Sequence, residues 1–225
     1  MNEIWQQTLN WQPSSEQQAQ FQQLYELIVA GNQKLNLTRI TAPEEFWEKH
    51  LWDSLRGIVS LLQSPSVGAH SCAPLQKAID IGTGAGFPGI PAAIALPHTE
   101  VILLDATQKK IAFLNSLIAE MNLQNTRTIV GRAENINQQP QQYQNYDLAL
   151  VRAVAAADVC ANYALPFLKS EGLAVLYRGN WTVEEEKTLE TTVKKLSGKI
   201  ENIEKFTTPL SHGIRHCIYL RKLVI

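Results

Sequence analysis

The sequence predicts an α/β protein: a mostly parallel sheet of seven strands, covered by helices on both faces and preceded by N-terminal helices. Three observations carry this. From residue 77 onward, short apolar runs alternate with helical patterns, as strand–helix–strand units require. The first of these runs leads directly into three glycines at alternate positions, Gly82, Gly84 and Gly86. Residues before 63 show helical periodicity instead.

The elements follow in order. Residues 15–31 hold Phe21, Leu24, Tyr25, Leu27 and Ile28 at helical spacing, with Gly31 expected as the C-cap. Residues 43–62 repeat the pattern, with Pro43 at a first helical position and Phe46, Trp47, Leu51, Leu55 and Ile58 on the apolar side. Trp47 and Trp52 are expected in the core. Residues 63–75 (QSPSVGAHSCAPL) read as a loop, which divides a helical region at 1–75 from a cofactor-binding core at 76–225. Strands are predicted at 77–81, 100–104, 126–130, 146–151, 172–177, 199–206 and 214–221. Helices are predicted at 91–96, 107–121, 155–168 and 183–196, and the Gln-rich stretch 137–144 reads as a surface loop.

Composition excludes several classes. The chain has 225 residues and is 45% apolar, enough for a full core without covalent staples. Three widely spaced cysteines, Cys72, Cys160 and Cys217, argue against a disulfide framework or a Cys-rich zinc site, and Cys160 reads as a small buried residue. His50, His70, His98, His212 and His216 have no ligand spacing, so no metal is expected. The polar start MNEIWQQTLNWQ lacks a signal-peptide core, and no apolar run reaches the roughly 18 residues of a spanning helix. The expectation is a cytoplasmic protein with no membrane partner. The oligomeric state stays open, a monomer included. With 20 Lys and Arg against 21 Asp and Glu, the formal charge of −1 gives no global pull toward nucleic acid, although a local patch suffices for one.

The strongest local signal is the run Asp80-Ile81-Gly82-Thr83-Gly84-Ala85-Gly86. Glycines allow positive φ and close approach of a ligand to the backbone. The third glycine falls one place early for a nicotinamide fingerprint, with Phe87 at the expected position, and no P-loop sequence is present. The run reads as a nucleotide-cofactor site of the S-adenosylmethionine kind, with Phe87 among its candidate cofactor-binding residues and a plain glycine-rich turn as the alternative. Asp80, inside the strand end, can hold loop amides or reach a cationic amino-acid tail through water. Asp105 ends the second strand, where an acid can accept both ribose hydroxyls; a helix N-cap acid is the alternative. Ala133 and Glu134 follow the third strand, where their amides can read the adenine edge.

Arg132, Arg152, Arg178 and Arg215 lie at or near predicted strand ends, and several are expected to converge on one rim as a substrate-binding patch, extended by Lys109 and Lys110. Lys34, Arg39 and Lys49 are candidates to widen it, and Trp181 is a candidate for base stacking. His50 and Asp53, about one helical turn apart, are candidates to brace the N-terminal helix against the core as a hydrogen-bonded pair.

These residues also carry a family resemblance, from about residue 20 to the end of the chain. They comprise Asn36-Leu37-Thr38, His50 with Asp53-Ser54, the run IDIGTGAGFPGIP (79–91), LLD at 103–105, RAE at 132–134, VRAV at 151–154 and RH at 215–216. In them the chain resembles the RsmG (GidB) family of bacterial 16S ribosomal RNA methyltransferases. The resemblance implies a Rossmann-like class I methyltransferase fold with N-terminal helices. It implies S-adenosylmethionine as donor and methylation of guanine 527 of 16S ribosomal RNA at N7, with the RNA or the small ribosomal subunit as partner. It also implies that Gly82, Gly84 and Gly86 line the cofactor pocket, that Asp105 meets the ribose and that Ala133 and Glu134 flank the adenine. Arg152 is implied to face the transfer region. Family members often carry Lys-Gly after the fifth strand, where this chain has Arg178-Gly179, a change of reach and hydrogen-bond geometry.

The chemistry agrees with that implication. Guanine N7 offers a lone pair and no proton, so no general base is needed, and the fourth strand ends in Val151-Arg152-Ala153-Val154 rather than an Asn-Pro-Pro-Tyr-like run. Arg152 and Arg178 are the candidate catalytic residues. Arg152 is expected near guanine O6 or a phosphate, leaving N7 free, with pairing to a nearby acid as the alternative. The competing readings are a methyltransferase of small molecules or proteins, and a non-enzymatic ribosome-associated RNA-binding domain.

Overall fold

The computed structural model describes residues 2–63 and 75–224. Most of the loop expected at 63–75, with His70 and Cys72, lies outside the described residues. The sheet has seven strands: β1 Lys77–Ile81, β2 Glu100–Asp105, β3 Thr126–Val130, β4 Tyr146–Arg152, β5 Leu168–Arg178, β6 Gly198–Thr207 and β7 Ile214–Lys222. Their order is β3-β2-β1-β4-β5-β7-β6, and only β7 runs against its neighbours. This is the Rossmann-like methyltransferase architecture. Chain order reverses between β1 and β4, so the loops after these two strands open side by side at the switch point, where ligands of such sheets bind.

Ten α-helices are described: α1 Asn2–Leu9, α2 Ser15–Leu35, α3 Pro43–Phe46, α4 Asp53–Arg56, α5 Val59–Gln63, α6 Gly89–Ala95, α7 Gln108–Glu120, α8 Ala133–Ile136, α9 Ala157–Ala164 and α10 Val183–Lys195. Strand and helix positions from 77 onward match expectation to within a few residues. Two N-terminal expectations change. Gly31 is no cap: α2 runs four residues further, to a left-handed Asn36 at φ 46°. Gly31 instead lets α7 approach, since a Cβ there would meet Phe113 Cε2 at 2.3 Å. The continuous helix expected at 43–62 is interrupted by a π-helical segment, Trp47–Trp52, closed by Asp53 N–H donating to Glu48 C=O. Its wider turn buries Trp47, Glu48, His50, Leu51 and Trp52 together, which no 3.6-residue periodicity achieves.

The N-terminal helices share one hydrophobic cluster with the sheet, running from Trp5, Leu24, Phe46 and Trp52 to Ala78, Phe87, Val101 and Leu150. The other face of the sheet, with Ile79, Ile81, Leu104, Val151 and Leu176, packs on α9 and α10 through Cys160, Ala161 and Leu189. Strand alternation therefore assigns each strand-end side chain to one of two faces. Asp80 and Arg152 follow Ala78 and Leu150 onto the N-terminal face.

Candidate active site

The loop after β1 is fixed by its own backbone. Gly82, Gly84 and Gly86 take φ of +71°, +60° and +97°. A Cβ on Gly82 would meet Val154 Cγ2 at 2.6 Å, whereas one on Gly84 would meet nothing among the described residues nearer than the Gly82 carbonyl at 3.9 Å. The space in front of Gly84 is thus open in this structure and suits a ligand approaching the backbone. Asp80 is fully buried: Oδ2 accepts from Thr83 Oγ1 at 2.6 Å and from Gly89 N at 2.8 Å. Its Oδ1 is buried with no hydrogen-bond partner among the described residues. Burial pushes its carboxyl up to about 6, against the pull of those two donors.

Asp105 ends β2 with Oδ2 accepting Gly84 N–H at 3.0 Å and Oδ1 accepting Thr107 N–H at 2.8 Å. Each carboxylate oxygen keeps a second acceptor site for a diol. Lys110 Nζ stands 3.8 Å from Oδ2. Ala133 and Glu134 open the one-turn α8, where first-turn amides have no intrahelical acceptor. Ala133 is buried, and the Glu134 side chain is exposed.

Beside this loop lies a cleft of about 270 Å³ lined by Lys49, His50, Asp53, Arg152, Ala153 and Arg215, with Ile40 and Thr208 at its edges. Arg152 joins its walls. Nη1 donates to the Lys49 carbonyl at 2.8 Å and to Asp53 Oδ2 at 3.2 Å, and Nη2 donates to His50 Nδ1 at 3.2 Å. A guanidinium only donates, so His50 accepts at Nδ1, and its Nε2–H donates to Thr38 Oγ1 at 2.8 Å. Burial, then the charges of Arg152 and Lys49, depress the His50 pKa to about 3, which keeps the ring neutral. The ring stacks on Phe87 of the glycine loop, centroids 4.3 Å apart and planes 7° apart. The Arg152 guanidinium lies 5.7 Å from the same Phe87 ring. Phe87 is therefore the wall between loop and cleft.

Glu48, missed in the sequence, precedes Lys49 and His50 in the π-helical segment and is buried. Its Oε1 accepts Leu210 N–H at 2.5 Å and Ser211 N–H at 2.9 Å, tying the β6–β7 turn to the π-helical segment. Burial opposes its charge, yet hydrogen bonds from Ser211, Leu210 and Thr208 bring its carboxyl below the usual range. Nothing in the local sequence marks this long-range pairing.

Of the four arginines, Arg152 and Arg215 converge on the cleft and the other two do not line it. Arg152 lies opposite Tyr177, and Tyr177 opposite Cys217, all on the N-terminal face. Arg215, two residues before Cys217, shares that face and lines the cleft. Arg178 is one residue past Tyr177 and projects from the other face of the sheet. There Nη1 holds the Ala155 carbonyl at 2.8 Å and Nη2 holds Glu185 of α10 at 2.8 Å. Arg178 anchors the loop after β4 rather than lining the cleft. Arg132 is exposed at the start of α8 and is also outside the cleft. Of the expected flanking lysines, Lys49 joins the cleft while Lys109 and Lys110 stay on α7. Trp181 is half-buried against the α9–α10 core with its indole N–H enclosed, and it does not line the cleft. His50 and Asp53 brace the helix against the core through Arg152, not through each other.

Among the described residues no cluster of His, Cys, Asp and Glu could hold a metal ion, and no helix is long and apolar enough to cross a membrane. Comparison with solved structures supports the fold. The citrinin polyketide synthase CMeT domain aligns with a TM-score of 0.57 at 11% identity, covering 77% of this chain and 53% of that one. M. jannaschii TYW2 in complex with AdoMet aligns at 0.51 and 16% identity, covering 74% and 75%. Sequence relatives are far nearer. Ribosomal RNA small subunit methyltransferase G of Nostoc punctiforme is 62% identical over 223 residues, covering 99% of this chain and 89% of that protein. Its counterpart from Microcystis aeruginosa is 54% identical over 221 residues, covering 98% and 96%. The family model described as GidB, rRNA small subunit methyltransferase G, matches residues 17–218, and the chain belongs to that family.

Proposed function

We propose that this chain transfers a methyl group from S-adenosylmethionine to N7 of guanine 527 in 16S ribosomal RNA, within the small ribosomal subunit or its RNA. The observation that carries this reading is the single wall, Phe87, between an open glycine loop and a basic cleft holding Arg152, Lys49 and Arg215. The cofactor when bound supplies an electrophilic methyl group on a sulfonium.

The chain's own residues fit that group. The open space at Gly84 admits a nucleoside, with Gly82 and Gly86 shaping the turn around it. The orphaned Oδ1 of buried Asp80 offers an acceptor for the loop or for a water beneath a cationic tail. Asp105 has acceptor capacity left for a ribose, and the first-turn amides at Ala133 and Glu134 are donors suited to an adenine edge. Across Phe87, three of the five Arg152 donors are spent on protein, which leaves two for a guanine O6 or a phosphate. Lys49 and Arg215 add phosphate contacts at the rim, and Arg132 and Arg178 act outside it, Arg178 by fixing the loop after β4. N7 has no proton to lose, so catalysis is proximity and orientation, and the neutral His50 serves as a brace and not as a base. The working division is a helical region at 1–75 docked on a cofactor-binding core at 76–225, acting in the cytoplasm.

Incorporation of labelled methyl into small subunits lacking the modification tests the reading. Transfer to these, with none to subunits already modified, is expected; equal labelling of both sinks the assignment of the nucleotide.

A further inference from the structure

Guanine methylation at N7 makes an electrostatic demand on the cleft. The N7 lone pair forms the bond to the methyl carbon while the carbon–sulfur bond breaks onto sulfur. Formal positive charge passes to the purine, and N7 has no proton to release in the transfer step. A guanidinium touching that base therefore opposes the reaction and repels its product, yet Arg152 lines the cleft.

Asp53 answers this demand. It is the one acid among the described residues lining the cleft. Its Oδ2 stands 3.2 Å from Arg152 Nη1, and the two side chains are 13% and 15% exposed. Its Oδ1 takes no protein donor among the described residues, so half of the carboxylate is uncommitted. The surrounding charges are Arg152 from β4, Arg215 from β7, and Lys49 and Glu48 from the π-helical segment, with Asp80 of β1 near Arg152. Glu48 is committed to the amides of Leu210 and Ser211, and His50 is neutral. Without Asp53 the cleft wall is Lys49, Arg152 and Arg215 with no carboxylate among them.

Resting on the guanine-N7 reading, we propose that Asp53 is a positioning residue that cancels the Arg152 charge, so that the guanidinium can hydrogen-bond the base without repelling the positive charge the base acquires. Arg152 then supplies direction and Asp53 supplies neutrality. Burial raises the Asp53 carboxyl above its ordinary range, with Arg152 drawing it back, which marks a poorly solvated position where one charge acts strongly on its neighbours.

The test compares binding of small subunits that carry or lack the methyl group at guanine 527, in the presence of S-adenosylhomocysteine so that nothing turns over. Asp53→Asn keeps the shape and one acceptor. It is expected to weaken binding of methylated relative to unmethylated subunits about tenfold against the unmutated protein, the effect of one unit charge in a partly screened cleft. Its single-turnover transfer rate is expected to fall by a similar factor, with binding of unmethylated subunits retained. Arg152→Gln shifts the binding ratio the opposite way and carries the test should Asp53→Asn not fold. An unchanged ratio in both variants overturns the inference about Asp53. No transfer by the unmutated protein overturns instead the reading on which it rests.

Discussion

The cofactor loop and the basic cleft stand on either side of one phenylalanine, yet they are built in opposite ways. The loop is local and held by backbone: Asp80 reaches Gly89, and Asp105 reaches Gly84 and Thr107. The cleft is distant and held by side chains. Arg152 meets residues 99 to 103 positions away in sequence, and Glu48 meets residues 162 and 163 positions away. A nucleoside site can be written in one stretch of chain because strand, turn and helix present it together. A cleft for a polyanion gathers charges from several elements, and each charge then needs a partner when no substrate is present.

The contrast can be broken most strongly at Arg152. Arg152→Ala leaves Asp53, the Lys49 carbonyl and His50 Nδ1 without their shared donor. Transfer is expected to fall at least about 100-fold while the cofactor still binds, with unfolding free energy lower by about 2–4 kcal/mol. Single-turnover assays, calorimetry and urea titration check these together. Cofactor affinity lost in parallel with transfer would mean that loop and cleft are not separable.

The loop is sharpened by comparing two glycines. Gly82→Ala puts a Cβ 2.6 Å from Val154 Cγ2 at a positive φ and is expected to cost about 2–3 kcal/mol of stability. Gly84→Ala has a positive φ but open space, so it is expected to cost about 1 kcal/mol while weakening cofactor binding at least about tenfold. Calorimetric titration after thermal unfolding checks the pair, and equal losses of affinity and stability in both would contradict an open cofactor space at Gly84.

Acid separates the regions with opposite signs. The folded-state pKa of His50 is near 3 against an ordinary 6.5, so its stabilising contribution is complete above pH 6.5 and is lost as pH falls toward 3. Asp80, raised from 3.8 to about 6, contributes below pH 3.8 and loses that contribution as pH rises toward 6. His50→Gln removes only the first effect. Its deficit against the unmutated protein is expected to be about 2 kcal/mol smaller at pH 5 than at pH 7 in urea titrations. A pH-independent deficit would mean that folding leaves the His50 pKa at its ordinary value, and a deficit larger at pH 5 would mean that the ring is protonated in the fold. The smallest expected effect is Thr38→Val, which leaves His50 Nε2–H and Ile40 N–H without their acceptor and is expected to cost about 1 kcal/mol by the same method.

The sheet was legible because its strands are short apolar runs separated by turn residues, and the glycine loop because its pattern is contiguous. Helical periodicity cannot register a π-helical turn, so the burial of Glu48 and His50 beside the expected Trp47 and Trp52 was hidden. Arg152 and Arg178 looked equivalent because both end central strands. Val175, Leu176 and Tyr177 are buried alike, so β5 shows no alternation to tell which face its last residue takes. Gly31 looked like a stop signal because glycine marks both helix ends and close helix contacts, and only the Phe113 ring decides between them.

The most direct test of the central claim is to map the methyl group on 16S ribosomal RNA after reaction with small subunits lacking the modification, by mass spectrometry of the nucleotide fragment. Label on N7 of guanine 527, and its absence when 7-deazaguanosine stands at that position, is the predicted result. Label on another atom of that base, or on another nucleotide, would contradict it.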